Sequence, residues 1–307
     1  MHILKPVFVI LDTDMGPDCD DAGALAILHA LAKQEESHIL GVMHCTSNPY
    51  GAGCIDAINR FYGRPDIPVG TLRKEGFLTG PECERYNRYI AENYDNAYRC
   101  KPAPDAVEMY RKILAGQPDG SVVIISIGPL CNLADLLGTR ADRYSPLDGV
   151  GLVSSKVRKL VLMAGWFEPD KNGSMQPEWN VLLDIPSAQA VLRKWSSPAV
   201  FCGFEVGEPV ITGKELMRSC GSENPVRKAY ELYTEGKGRS SWDLITVLIA
   251  VRGDCDLWEI SRPGEVCIDE SGISYFKEID EGMHEIVKNK APVEKIEQYI
   301  EALLTMQ

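Results

Sequence analysis

The chain has 307 residues, 45% hydrophobic and 25% charged, with a net charge of −12. This is the composition of an ordinary globular chain, and its acidic balance argues against nucleic-acid binding through a broad basic surface. Ten cysteines include no closely spaced pair of the kind that builds zinc or redox motifs, and no apolar run is long enough to span a bilayer.

The opening segment Met1 to Pro6 shows no signal sequence, so a cytoplasmic location is expected. Val7 to Leu11 is the first predicted strand. It leads into Asp12-Thr13-Asp14-Met15-Gly16-Pro17-Asp18-Cys19-Asp20-Asp21, ten residues with five carboxylates, and then into a helical pattern from Ala22 to Leu28. Acids crowded where a strand gives way to a helix repel one another unless a cation holds them, and a hard, oxygen-seeking divalent ion suits them. One or two could cap the helix, but five exceed that role. An EF-hand loop fails because Pro17 stands where its glycine belongs and Gly23 where its glutamate belongs. An aspartyl-phosphate phosphotransferase of the haloacid dehalogenase type, using Asp12 and Asp14, is a rival that leaves Asp20 and Asp21 unexplained.

Further strands are predicted at Ile39 to His44, Ile67 to Gly70, Val122 to Ile127, Leu160 to Met163 and Val200 to Phe204. Helices are predicted near residues 21–33, 52–62, 105–115, 130–138, 186–195 and 242–251. The alternation implies a three-layer α/β fold, a mostly parallel sheet with helices on both faces, with residues 1–307 as a single domain. Ligands in such folds sit beyond the carboxyl ends of the strands. That rule selects the aspartate segment, Thr46-Ser47-Asn48-Pro49, Gly128-Pro129-Leu130 and Ala164-Gly165-Trp166, whose loop runs on through Asn172 to Asn180.

Four separated segments resemble the inosine-uridine nucleoside hydrolases, which split the N-glycosidic bond of ribonucleosides with a bound Ca²⁺. They are Asp12-Thr13-Asp14-Met15-Gly16 with Asp20-Asp21-Ala22, Gly128-Pro129-Leu130-Cys131-Asn132-Leu133-Ala134, Asn172 through Glu178-Trp179-Asn180 with Asp184 downstream, and Trp242-Asp243. The resemblance implies a Rossmann-like core and a small ribonucleoside as substrate. It implies that Asp14 binds Ca²⁺ and accepts a proton from the attacking water, that Asp21 grips the ion, and that the Ile127 carbonyl and Asp243 complete its protein ligands. Asp20, Asn48, Asn172, Glu178 and Asn180 would hold the ribose, with Asp12 orienting the loop behind them. The aspartate segment is two residues longer than the family's shortest form, and Asp18 competes for a place at the metal.

At the leaving-group end this chain has Trp242 where one branch of the family has a histidine. Trp242 resembles the purine-preferring branch, in which a tryptophan stacks on the base, so a purine preference is expected. Of the five histidines, His2, His29, His38, His44 and His284, only His44 falls near the expected cleft, and it reads as structural. Trp166, Phe167, Trp179, Tyr230 and Tyr233 are further aromatic candidates. Arg239 could act on the leaving group, although Gly236 to Ser241 reads as a mobile surface loop. A non-catalytic ribose- or nucleoside-binding protein is the second rival. The resemblance implies a homodimer or homotetramer; no nucleic-acid or membrane partner is expected.

Overall fold

The computed structural model describes residues 5–253 and 255–306. The predicted His2 and the opening segment up to Leu4 lie outside that range. Among the described residues twelve strands are present: β1 Val7–Thr13, β2 Ser37–His44, β3 Val69–Thr71, β4 Val122–Ser126, β5 Val157–Met163, β6 Ala199–Cys202, β7 Ile211–Thr212, β8 Arg239–Ser240, β9 Trp258–Ile260, β10 Gly264–Ile268, β11 Ser274–Glu278 and β12 His284–Asn289. Ten of them form one sheet in the order β11-β10-β12-β6-β5-β4-β1-β2-β3, with β9 paired to β12. From β3 across to β12 the neighbours are parallel, and β9, β10 and β11 join as antiparallel strands at one edge.

The apolar runs of the central strands are explained by burial on both faces. Val9 and Leu11 enter one core cluster while Ile10 enters the other, and Val123 and Ile125 alternate in the same way with Val122 and Ile124. Helices Asp20–Lys33 and Trp242–Arg252 cover the first face, and helices Ala106–Ala115 and Ile185–Lys194 cover the second. Each fully buried Val, Ile or Leu contributes roughly 1.5–3 kcal/mol, so this sandwich fixes the strand ends rigidly.

The chain leaves β1 outward through β2 and β3, then returns on the other side of β1 to form β4. The crevice beyond the β1 and β4 carboxyl ends is therefore a topological switch point, the usual ligand position in open α/β sheets. Register brings the ends level: Asp12 faces Ser126 and Met43, Thr13 faces His44, and Ser126 faces Leu162.

Two expectations are corrected. The sixth strand stops at Cys202, and Phe204 instead opens the short helix Phe204–Gly207. The segment after residue 257, not expected to be β-rich, supplies the antiparallel edge.

Candidate active site

The first helix begins at Asp20 and the helix Trp242–Arg252 carries Asp243 in its first turn, so two helix N-termini meet at one place. Their positive ends favour nearby carboxylates. Gly23 permits the approach: a Cβ there would lie 2.4 Å from the Tyr230 hydroxyl and 3.1 Å from Leu244. Asp20, Asp21 and Asp243 each bring an oxygen into a cluster whose members all lie within 4.8 Å of one another, and the Asp243 backbone N–H donates to Asp20 Oδ2 at 3.2 Å. Thr13 Oγ1 donates to Asp21 Oδ1 and accepts from the Met15 N–H at 3.2 Å, tying the loop to the helix.

Asp14 stands at the rim of this cluster. Its charge is felt by both Asp21 and Glu178. Gly128 closes the other side, where a Cβ would lie 2.6 Å from Cys45 Sγ and 3.0 Å from the Asp14 backbone nitrogen, so only glycine lets the end of β4 approach. Behind them, Asp12 Oδ2 accepts from Tyr110 at 2.8 Å and Asn132 at 3.0 Å. Asn132 belongs to a segment singled out in the sequence. Tyr110, distant and on a helix, carried no signal. Ile127 follows β4 directly, and its N–H donates to the Asp12 carbonyl at 2.8 Å.

Asp12, Asp14, Asp20, Asp21, Glu178 and Asp243 are all buried. Burial pushes every one of these acids up, Asp12 and Glu178 to about 7, because a desolvated carboxylate resists ionisation. Repulsion from neighbouring acids raises them further, from Asp18 first at Asp20, from Asp14 first at Asp21 and from Asp20 first at Asp243. The ion pairs around them engage other carboxylates, Lys74 with Asp184 at 2.9 Å and Arg239 with Asp18. Polar atoms also remain unpaired at the strand ends, among them Asp12 Oδ1, Ser126 Oγ, Asn132 Oδ1 and Asn48 Nδ2. An all-oxygen set of clustered acids fits a hard divalent cation, which would offset their repulsion.

Of the residues expected on the ribose, Glu178 and Asn180 are buried beside β5. Glu178 accepts from the backbone N–H of Asn180 at 2.8 Å, Val181 at 3.1 Å and Gly165 at 3.3 Å, and Asn180 Nδ2 donates to the Met163 carbonyl at 3.0 Å. Asn48 follows β2, its Oδ1 accepting from Tyr50 N–H at 2.9 Å and Asn87 Nδ2 at 3.2 Å. Asn172 is not gathered with them. It lies in an exposed turn, its N–H donating to Asp170 Oδ1 at 2.9 Å.

Trp242 sits one residue from the acids. Phe204 lies between it and Trp166, with ring centroids 5.4 Å and 4.3 Å away, and the Trp242 indole donates to the Phe204 carbonyl at 2.9 Å. Phe204 was placed at a strand end by the sequence and not read as part of this wall, although the strand-end rule pointed at it. Arg239 lies 4.9 Å over Trp242 and 5.5 Å over Tyr233, and its Nε bonds both oxygens of Asp18 at 2.9 and 3.0 Å. Burial works against the Arg239 charge, but Asp18 more than restores it and holds its pKa above the ordinary value. The stretch expected to be a mobile loop is thus pinned, by β8 pairing with β7 and by this ion pair. Asp18 turns to Arg239, while Asp20 and Asp21 form the acid cluster.

The other aromatic candidates point elsewhere. Trp179 is 60% exposed, Tyr230 is fully buried behind Gly23, and Phe167 packs edge-on to Phe201 at 6.2 Å. His44 is buried between Thr46 and Thr71, and burial lowers its pKa to about 4, in keeping with a structural role.

Residues 9–290 match the family model of the inosine-uridine preferring nucleoside hydrolases. An uncharacterized protein of Schizosaccharomyces pombe is 29% identical over 266 residues, 80% of each chain. The pyrimidine-specific ribonucleoside hydrolase RihA of Photobacterium profundum is 29% identical over 208 residues, 64% of this chain and 60% of that one. Among solved structures, the inosine-uridine preferring nucleoside hydrolase of Bacillus anthracis aligns with a TM-score of 0.71 at 17% identity, covering 97% of this chain and 99% of that one. The purine-preferring ribonucleoside hydrolase of Gardnerella vaginalis aligns with 0.70 at 17% identity, covering 98% and 100%. The chain, with its acid cluster at the switch point of a nucleoside hydrolase-like fold, belongs to the inosine-uridine preferring nucleoside hydrolase family.

Proposed function

We propose that this chain hydrolyses the N-glycosidic bond of ribonucleosides, with purine nucleosides preferred and Ca²⁺ as its metal. The observation that carries the reading is the buried Asp20, Asp21 and Asp243 cluster beside Asp14. Asp14, Asp21, Asp243 and the Ile127 carbonyl are the protein groups that would hold the ion, with Asp20 alongside. When bound, a divalent cation supplies charge that acidifies water and draws in the sugar diol.

The chain's own residues account for the rest. Asp14, pressed against Gly128, accepts the proton of the attacking water, a contribution typically of about 10²–10⁴-fold. Bond breaking leaves positive charge on the ribosyl ring, which the carboxylates of Asp20 and Glu178 stabilise more than the neutral sugar. Asn48 and Asn180 orient that sugar, while Asn172, in its exposed turn, stands apart from them. Trp242, backed by Phe204, stacks on the departing base, so that solvent can protonate its ring nitrogen, and the fixed Arg239 completes the wall.

A purine preference rests on this broad aromatic wall, against the pyrimidine-specific name that four sequence relatives carry. Steady-state rates on inosine, guanosine, adenosine, uridine and cytidine, with and without a chelator and with Ca²⁺ or Mg²⁺ restored, test it. Faster cleavage of the purine nucleosides, lost on chelation and restored best by Ca²⁺, is expected. A clear pyrimidine preference overturns the specificity, and undiminished turnover in chelator overturns the metal.

A further inference from the structure

Arg239 has more hydrogen-bonding capacity than its partners in the chain use. A guanidinium carries five N–H donors in a flat, rigid fork. Asp18 takes one edge of it: Nε donates to the two carboxylate oxygens at 2.9 and 3.0 Å, and Nη2 to Oδ2 at 2.5 Å. Both hydrogens of Nη1 and the second of Nη2 remain, and among the described residues nothing accepts them. One from each nitrogen runs parallel along the end of the fork, away from the edge that Asp18 occupies.

The plane of this fork is fixed by Asp18 and by the Trp242 and Tyr233 rings, over which it lies at 4.9 and 5.5 Å, yet the side chain is still 35% exposed. A base stacked on Trp242 occupies the layer above that ring, which is where the guanidinium stands. Two flat groups in one layer meet edge to edge. Because Asp18 already offsets the charge, the pattern of donors and acceptors decides which edge is accepted. Hypoxanthine and guanine present O6 and N7, two acceptors side by side, and this is the pair an arginine fork matches best. Adenine presents N7 beside the N6 amino group, so a donor would face a donor.

We propose that Arg239, locked by Asp18, reads the O6 and N7 edge of a 6-oxopurine, so that the chain favours inosine and guanosine over adenosine. The proposal rests on the nucleoside-hydrolase reading and on the base lying against Trp242. Arg239 keeps its proton throughout. The C1′–N9 bond breaks with its electron pair left on the base, water supplies the hydroxyl at C1′, and with N7 and O6 held the solvent's proton goes to N3 or N9.

Initial rates on the full chain in Ca²⁺ would compare inosine, guanosine, purine riboside and adenosine, using wild type, Arg239→Lys, Arg239→Ala and Asp18→Asn. In wild type, kcat/KM for inosine and guanosine should exceed that for adenosine at least tenfold, with purine riboside, which keeps N7 but lacks O6, in between. Arg239→Lys keeps the charge and loses the fork, so the ratio of inosine to adenosine should fall to within about threefold, as it should in Arg239→Ala. Asp18→Asn, which frees the fork to turn, should narrow it too. A merely structural role lowers all four substrates alike and leaves the ratio where it was. Wild type that cleaves adenosine as fast as inosine overturns the proposal, and needs no variant to fold. A ratio that survives Arg239→Lys also overturns it, as does an equal gain on all four substrates in Arg239→Ala, which would show the side chain only covering the Trp242 ring. Should no nucleoside release its base, the hydrolase reading sinks, and calorimetric binding of the same four compounds takes the place of rates. Inosine bound in preference to adenosine, with the preference lost in Arg239→Lys, then keeps the fork. Cleavage of inosine and adenosine at one rate does the reverse.

Discussion

The cleft has two ends built on different principles. At the acid end, six buried carboxyls are collected from strand ends and helix N-termini that the sheet holds rigidly, and the protein places its nearby cations on other acids. At the aromatic end, Trp166, Phe204, Trp242, Tyr233 and Arg239 come from a loop, two helix starts, a helix end and the short strand β8, are less deeply buried, and carry their own counter-charge in Asp18. The difference teaches which end needs something from outside. An unpaired buried charge is costly, so the acid end suits a cation from outside, whereas the aromatic end carries its own counter-charge and, in the proposed function, would take only a flat ring.

The contrast is broken most severely at Asp14. Asp14→Asn keeps the shape but removes the proposed proton acceptor, and kcat for inosine should fall about 10³-fold while thermal stability changes little, as measured by initial rates and calorimetric melting. A variant within a few-fold of wild type would move the proton transfer to another acid.

At the aromatic end, removing a stacking partner for a nucleobase costs about 1–3 kcal/mol. Trp242→Ala should therefore lower kcat/KM for inosine by about 10–100-fold and for uridine by less, with Ca²⁺ affinity unchanged. Equal losses on both nucleosides would make Trp242 a packing residue. Arg239 asks for a smaller effect, since a cation over an aromatic ring is worth about 0.5–2 kcal/mol. Arg239→Ala and Asp18→Ala should each raise KM for inosine several-fold, and the double variant should be no worse than either alone, because the two act as one unit. Additive losses would show that Asp18 does not work through Arg239.

The acid end was largely legible in the sequence because four of its six carboxyls, Asp12, Asp14, Asp20 and Asp21, fall in one segment. Asp12 through Asp21 sit in one segment, and five acids at a strand end demand an explanation that helix capping does not supply. The central strands were legible for a related reason, since burial on both faces leaves unbroken apolar runs. The aromatic end was not. The Asp18 to Arg239 pair joins residues 221 positions apart, and Gly236 and Gly238 around it gave only a loop signal. Phe204 was mistaken for a strand residue because one apolar run crosses the strand end. Strands β9 to β12 escaped notice because Pro263, Gly264 and alternate exposed Glu265 and Cys267 interrupt any long apolar run.

His29 gives the smallest effect and tests the rule from a third direction. It is as deeply buried as the acids, yet the protein itself satisfies it: Arg64 donates to Nδ1 at 3.2 Å, the Nε2–H donates to Asn59 Oδ1 at 2.9 Å, and Tyr62 stacks at 4.7 Å. Burial first, then the Arg64 charge, lowers its pKa from 6.5 to about 3, so the folded ring stays neutral where the unfolded one takes a proton. Its contribution is fully present above pH 6.5 and is lost as pH falls toward 3, by at most about 1.4 kcal/mol per pH unit. Urea unfolding of wild type and His29→Gln at pH 7.5 and 5.5 isolates this, because His44 and the acid end titrate in both proteins and cancel. The stability gap between the two should narrow by about 1 kcal/mol at the lower pH. A gap that does not change with pH would mean His29 binds a proton in the folded chain, and that burial alone does not decide which groups here require an outside partner.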